Sequence, residues 1–376
     1  MNDRSMTDQR HTARMVRRGA GKSGAAARQS GHRLAVLDLD HDTLSAAQNS
    51  LEISNTGVDM TLSPDDRFLV SVGGGATLEP LAVIDTHLRK EVATARLFMD
   101  HTSAEFCDDG TLLITSNPAG GANQIGVVSV PFDNPSPWSL GTVVDGIDWN
   151  VCAGPGGSIP GVPDISSQGL FAAPQKAGGS LWLTLGHASN VMDVRNIEVF
   201  PSASGGEITS HYGHAAFDAD DVLYVGISTN GEADDSGARD GAMTFAVSLD
   251  DGETFETLRF ETGPGALRHF YMDANRFGPG ALVVWATDGE TGYDWYMGHL
   301  HANANGVPYL ANVALVIDEG LQPSAHVTGA AAGPDGRAYT AMHGGAGPTA
   351  LSVFIQRDGP TLPVYGMVEV EPVAMA

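Results

Sequence analysis

Ser248-Leu249-Asp250-Asp251-Gly252-Glu253-Thr254-Phe255 is the stretch whose reading decides the fold. It lies inside AMTFAVSLDDGETFETLRF, residues 242–260. Met243, Phe245 and Val247 alternate before it, and Phe255, Leu258 and Phe260 punctuate the residues that end it and follow it. Apolar spacing of this kind on both sides of an Asp-Gly predicts two strands joined by a tight turn. Glycine supplies the positive φ that such a turn requires. The Ser and Asp side chains can bond backbone N–H groups inside the turn. Phe255 then returns an aromatic ring to the sheet.

Turns of a related kind recur along the chain. They read Leu62–Phe68 (LSPDDRF), Phe106–Leu112 (FCDDGTL), Phe217–Leu223 (FDADDVL) and Gly333–Arg337 (GPDGR), with weaker versions at 174–182 and 273–282. Units that repeat strands at roughly this spacing, and not helices, predict a ring of β-blades. The S-x-D-x-G-x-T-F stretch resembles the Asp-box of sialidase-like (BNR-repeat) β-propellers. LAVLDLDHDTL (34–44), NTGVDMTLSPDDRFLVSV (55–72) and LAVIDTHLRKEVATARL (81–97) resemble YVTN-type propeller repeats. The resemblance implies an all-β chain forming a single β-propeller of four-stranded antiparallel blades. It also implies that the box is a structural turn on an outer hairpin, taking no part in catalysis. Outer hairpins are expected at 34–53, 81–97, 126–142, 195–210, 243–260, 294–315 and 350–370, which predicts seven blades. Six is the alternative, if N- and C-terminal strands share a blade. Ring closure would remove free sheet edges.

Composition bounds the partners. The chain has 376 residues, 42% of them apolar, with 45 Asp and Glu against 20 Lys and Arg, a net charge of −25. Such a surface repels nucleic acid and anionic membranes, leaving a small molecule or a glycan as the expected substrate. Residues 1–32 are polar and Arg-bearing and are expected to form a disordered basic tail, with the propeller over 33–376. Arg17-Arg18 is followed by no apolar segment, so no signal peptide is readable. No apolar run reaches the ~18 residues of a membrane span, so a soluble chain is expected. Cys107 and Cys152 form either one bridge or two free thiols.

In propellers of the kinds resembled, the innermost strand of each blade lines a central channel. His101 (MDHTSAEF), His214 (HYGHAAF), His269 (LRHFYM) and His326 (SAHVTGAA) each fall where an inner strand is expected to begin. His211 and Tyr212 share the approach to His214, and Arg268 precedes His269. His187 and His343 are expected at the ends of second strands, on the same face. Imidazoles from successive blades that converge near the axis would suit a divalent transition metal, Fe, Zn, Mn or Cu. Asp59, Asp100, Asp145, Asp148 and Asp164 are acidic neighbours by this mapping. The expected metal ligands are therefore His101, His214, His269 and His326. The expected catalytic groups are His214, His269, Tyr212 and Arg268, acting through metal or as acid and base. The competing reading makes each histidine a hydrogen-bonded structural residue of the channel.

Two loops stand out. Residues 145–169 are Gly/Pro-rich and carry Trp149, which either caps the channel or faces solvent. Residues 229–241 hold Glu232, Asp234, Asp235 and Asp240, without the spacing of an EF-hand loop. A sialidase needs three arginines around a carboxylate, and only Arg195, Arg239 and Arg268 offer themselves. Tyr271 has no evident Glu partner. Three functions follow as expectations: a His-centred propeller enzyme of lyase, hydrolase or oxidative type, a non-catalytic glycan- or protein-binding propeller, or a divergent sialidase-like glycoside hydrolase.

Overall fold

A computed structural model describes residues 12–16, 32–40, 43–46, 51–54, 59–72, 80–96, 99–107, 110–118, 124–131, 150–153, 159–201, 213–233, 239–262, 266–275, 278–288, 293–321, 326–332, 338–343, 350–355 and 364–369. Every element among them is a β-strand, and no helix is long and apolar enough to cross a membrane. The first sheet holds β1 (Thr12–Val16), β2 (His32–Asp40), β3 (Thr43–Ala46) and β4 (Leu51–Ile53). Thr12–Val16 thus pairs antiparallel with β2 inside the stretch expected to be an unstructured tail. The second sheet holds β5 (Asp59–Leu62), β6 (Phe68–Val72), β7 (Pro80–Asp85) and β8 (Lys90–Arg96). The third holds β9 (Met99–Phe106), β10 (Thr111–Pro118), β11 (Gln124–Pro131) and β12 (Asn150–Ala153). The fourth holds β13 (Ile159–Pro160), β14 (Asp164–Ile165), β15 (Leu170–Ala177), β16 (Ser180–His187) and β17 (Asn190–Phe200).

The fifth sheet runs β18 (His214–Phe217), β19 (Leu223–Ala233), β20 (Arg239–Ser248), β21 (Glu256–Glu261). The sixth runs β22 (Leu267–Ala274), β23 (Ala281–Asp288), β24 (Tyr293–Ala302), β25 (Pro308–Leu321). Two hairpins complete the chain, β26 (His326–Ala332) with β27 (Ala338–His343), and β28 (Ala350–Ile355) with β29 (Val364–Glu369). β27 lies beside β28. The inner strands neighbour one another in turn: β5 with β9, β9 with β14, β14 with β18, β18 with β22, β22 with β26. β26 then meets β1, β29 meets β3, and β4 meets β8. The sheets therefore stand around a closed ring, and the all-β propeller expectation holds.

Apolar side chains fill the gaps between sheets. Between the fifth and sixth lie Tyr224, Met243, Phe245, Val247, Met272, Val283 and Trp285, all buried. Between the fourth and fifth lie Leu181, Leu183, Leu185, Phe217, Leu223 and Val225. The alternation of strand side chains puts one set on each sheet face, so the fifth sheet is half of two cores.

The fourth sheet departs from the sequence expectation. Its first turn is Ser166–Leu170, not 174–182, and Gly178-Gly179 links its second and third strands. Its outer hairpin is accordingly β16–β17, one strand earlier than expected. The reason is the inner strand, which is broken into two residue pairs and shows no apolar run. Between the pairs, Val162 leaves its own sheet and bonds β18 in parallel: its N–H donates to Gly213 O at 2.8 Å, and Ala215 N–H donates to Val162 O at 3.0 Å. A Cβ on Gly161 would lie 2.2 Å from Gly213 O, so this approach of two backbones requires glycine.

Candidate active site at the sixth sheet

Strand order fixes two faces of the ring. The turns between first and second strands and between third and fourth strands share one face, the turn face. Inner strands begin, and second strands end, on the opposite one, the opening face.

On the turn face, Ser248–Phe255 joins β20 to β21 as expected. Ser248 Oγ donates to Asp250 Oδ1 at 2.8 Å and accepts Gly252 N–H at 2.8 Å. Asp250 accepts Thr254 N–H at 2.9 Å and the Thr254 hydroxyl at 2.7 Å. These bonds, the Thr254 N–H first, hold the Asp250 carboxyl below the usual carboxylate range. Asp251 and Gly252 take positive φ, 54° and 78°. The turn also reaches its neighbour blade: Phe255 packs on the core of the fourth and fifth sheets, and Arg195 of β17 bonds Glu253 and the Asp251 carbonyl.

The first turns are stitched in the same way. The Asp221 carboxylate accepts Ser167 N–H at 2.9 Å and Ser167 Oγ–H at 2.7 Å, tying the fifth sheet to the fourth. Asp218 is buried and accepts N–H from Asp220 at 3.0 Å, Val222 at 3.0 Å and Gly280 of the sixth sheet at 2.7 Å, plus the Tyr224 hydroxyl at 3.1 Å. Burial pushes the Asp218 carboxyl up, against the pull of these bonds, and pushes the Tyr224 phenol up as well. Phe217 N–H donates to Asp164 Oδ2 at 2.7 Å, and Phe106 N–H donates to Thr61 Oγ1 at 3.2 Å, two equivalent joints between successive inner strands. Asp164 is thus a joint of this ring and not a free neighbour of the opening.

The four histidines expected at inner-strand starts lie there. His214 opens β18 and His326 opens β26, while His101 and His269 are each third in β9 and β22. His326 pairs across strands with His343. The side chains of His101, His326, His343 and Arg239 lie outside the described residues, as do Tyr212, His211, Asp145, Asp148, Trp149, Asp234 and Asp235. His187 is corrected: it ends the third strand of its sheet, against the Ser166–Leu170 turn, on the turn face. Cys107 is buried and forms no disulfide among the described residues.

His214 and His269 have different surroundings. His214 is 5% exposed, edge-on to Phe270 and Tyr271 at 5.2 Å between ring centroids. Burial lowers its pKa to about 4, against a hydrogen bond to the Met272 backbone. Its Nδ1 is buried without a partner. His269 is half-buried and stacks on the buried Trp295 at 5.2 Å and 11°, with Tyr293 edge-on at 5.4 Å. Register explains the stack, because His269 pairs with Ala286, and Ala286 with Trp295. Beside it, Arg268 stands in a bulge and donates two bonds to Asp288, Nε to Oδ1 at 2.7 Å and Nη2 to Oδ2 at 2.6 Å. This pairing raises the Arg268 pKa further. Sequence reasoning missed Asp288 and Tyr293; the only signal for them was their place at the end of a second strand and the start of a third. Among the described residues, no group of three His, Cys, Asp or Glu could hold a metal ion.

No protein-family model matches the chain, and no curated protein matches it. Solved structures do. The periplasmic gluconolactonase PpgL of Pseudomonas aeruginosa is similar at a TM-score of 0.56 and 15% identity, over 91% of this chain and 93% of that one. The Dos1 propeller is similar at 0.51 and 14%, over 86% and 74%. Hydrazine synthase of Kuenenia stuttgartiensis is similar at 0.50 and 15%, over 83% and 87%. At these identities the likeness is one of fold, and the fold is the β-propeller.

Proposed function

We propose that this chain is a propeller enzyme acting on a carbohydrate or small organic substrate at the opening face of the sixth sheet. His269 is its acid–base group. The observation that carries the reading is the half-buried His269 imidazole, fixed by the Trp295 stack beside the Arg268–Asp288 pair. A ring held in one orientation and partly open to solvent suits proton transfer. Arg268 and Asp288 together present donors and acceptors without net charge, and Tyr293 adds a phenol. Hydrolytic or lyase chemistry needs no more than this. The ring is read as seven blades, with β26–β29 as one blade and β1–β4 as another.

His214 takes a positioning part in this reading, since its sealed ring packs on the strand that carries His269. A metal centre shared by His101, His214, His269 and His326 would require His214 to offer its buried Nδ1. Stoichiometric Fe, Zn, Mn or Cu in the purified protein would support that centre over metal-free acid–base catalysis by His269.

The test is a screen of sugar lactones, glycosides and uronides, followed by His269→Asn on whatever turns over. Loss of about 10²- to 10⁴-fold in turnover at unchanged melting temperature supports the proposal. Unchanged turnover would count against it. The second reading, a non-catalytic glycan- or protein-binding propeller, is favoured by the Arg268 charge being balanced by its bidentate pairing with Asp288. It predicts saturable glycan binding that survives His269→Asn. The sialidase-like reading loses ground, because Arg195 is held at the turn face by Glu253.

A further inference from the structure

Pairing register gathers one set of side chains at the open end of the sixth sheet. Asp288 stands opposite Tyr293, Ala286 opposite Trp295, and His269 opposite Ala286. Alternation along a strand therefore puts Asp288, Tyr293, Trp295 and His269 on one sheet face. Arg268 joins them from its bulge through the two bonds to Asp288. This ion pair is open to solvent, its side chains 50% and 36% exposed. Asp288 and, after it, the Tyr293 phenol raise the Arg268 pKa, so the phenol also lies by the guanidinium. A guanidinium carries five N–H donors. Asp288 engages two of them, Nε–H and one on Nη2, so three remain on the solvent side of the pair.

We propose, on the reading of this face as the active site, that the Arg268–Asp288 pair grips neighbouring hydroxyl groups of an uncharged sugar and turns away uronates. A ligand carboxylate only accepts hydrogen bonds, so it competes with Asp288 for the Arg268 donors and meets the Asp288 charge. A hydroxyl both accepts from Arg268 and donates to the lone pairs that Asp288 keeps. Two adjacent hydroxyls therefore match the pair, one on each partner. The half-buried Tyr293 ring beside it offers an apolar wall to the C–H groups of a sugar. The field of the whole chain acts in the same direction: its net charge of −25 repels anions, and the Arg268 cation is already balanced by Asp288.

The probes are the methyl glycosides of glucose, galactose and mannose and the matching methyl uronides, titrated into the full chain at about 0.15 M salt and followed by ligand NMR. At least one neutral glycoside is expected to bind, and at least tenfold tighter than its uronide. Asp288→Asn keeps the side-chain size and uncovers the Arg268 charge, so it is expected to raise uronide affinity at least tenfold and remove the preference. Arg268→Gln is expected to weaken the neutral glycoside at least tenfold. Both variants should melt as wild type does, because an exposed ion pair contributes little to stability. Binding of no neutral glycoside, a uronide bound as tightly by wild type, or a preference that survives Asp288→Asn overturns the proposal. His269→Asn separates it from the reading it rests on. Lost turnover of an anionic substrate would keep the active site and overturn the hydroxyl assignment. Wild-type turnover with the neutral preference intact would keep the hydroxyl assignment and overturn the catalytic reading.

Discussion

The two faces of the ring spend their polar groups differently. On the turn face, the Asp and Ser side chains of one blade bond the backbone of the same turn or the next blade: Asp218 to Gly280, Ser167 to Asp221, Arg195 to the 248–255 turn. On the opening face of the sixth sheet, a bidentate ion pair and a stacked imidazole reach solvent. A carboxylate enclosed by four donors has no capacity left for a ligand. A half-exposed one beside an imidazole does. The turn face is a joint, and the opening face is where chemistry has room.

If the turn face is a joint, its buried carboxylate should matter most. Asp218→Ala removes the acceptor for three N–H groups and one phenol, one of them from the next blade. A loss of about 3–5 kcal/mol is expected from urea unfolding, the range for stripping one partner from a buried polar set. A loss below about 1 kcal/mol would mean that the turns do not hold the blades.

The sealed His214 sets the next effect. Its folded pKa, about 4, lies below the ordinary 6.5, so below pH 6.5 the unfolded chain binds the extra proton. Stability from this group is full above about pH 6.5, falls as pH drops towards 4, and levels off below. The whole swing is about 3 kcal/mol. Unfolding midpoints of wild type and His214→Gln across pH 4–7.5 check this, since the difference between the curves should shrink as the pH falls. Parallel curves would mean that His214 is not buried neutral.

Two glycines separate backbone strain from blade contact. Gly110, at φ 82°, has nothing within 4 Å of an added Cβ, while Gly252, at φ 78°, would meet Leu185 Cδ1 of the next blade at 2.3 Å. Gly110→Ala should cost about 1 kcal/mol from the left-handed backbone alone. Gly252→Ala should cost about 2–3 kcal/mol, because Leu185 must also shift. Equal losses would remove the evidence that the 248–255 turn clamps two blades.

The sequence was most legible where chemistry is local. Ser248, Asp250 and Gly252 announce a turn because each has one conformational use there, and the turn forms. The fourth sheet was misread because its inner strand borrows a hydrogen-bonding partner from β18, which no local pattern records. His187 was carried to the wrong face by that one-strand error. The starts of β18 and β22 were correctly placed, but His214 and His269 look alike in sequence. They differ because Phe270 and Tyr271 close over one, while the other leans on Trp295 from two strands away in its own sheet. Asp288 and Tyr293 join the site only through pairing register, which is a property of the folded sheet.

The most direct test of the central claim compares His269→Asn with wild type on the substrate found by screening, with melting temperature recorded for both. The account predicts turnover at least 100-fold lower with unchanged melting. Wild-type turnover in His269→Asn would contradict it and return the opening face of the sixth sheet to the structural role that the turn face has.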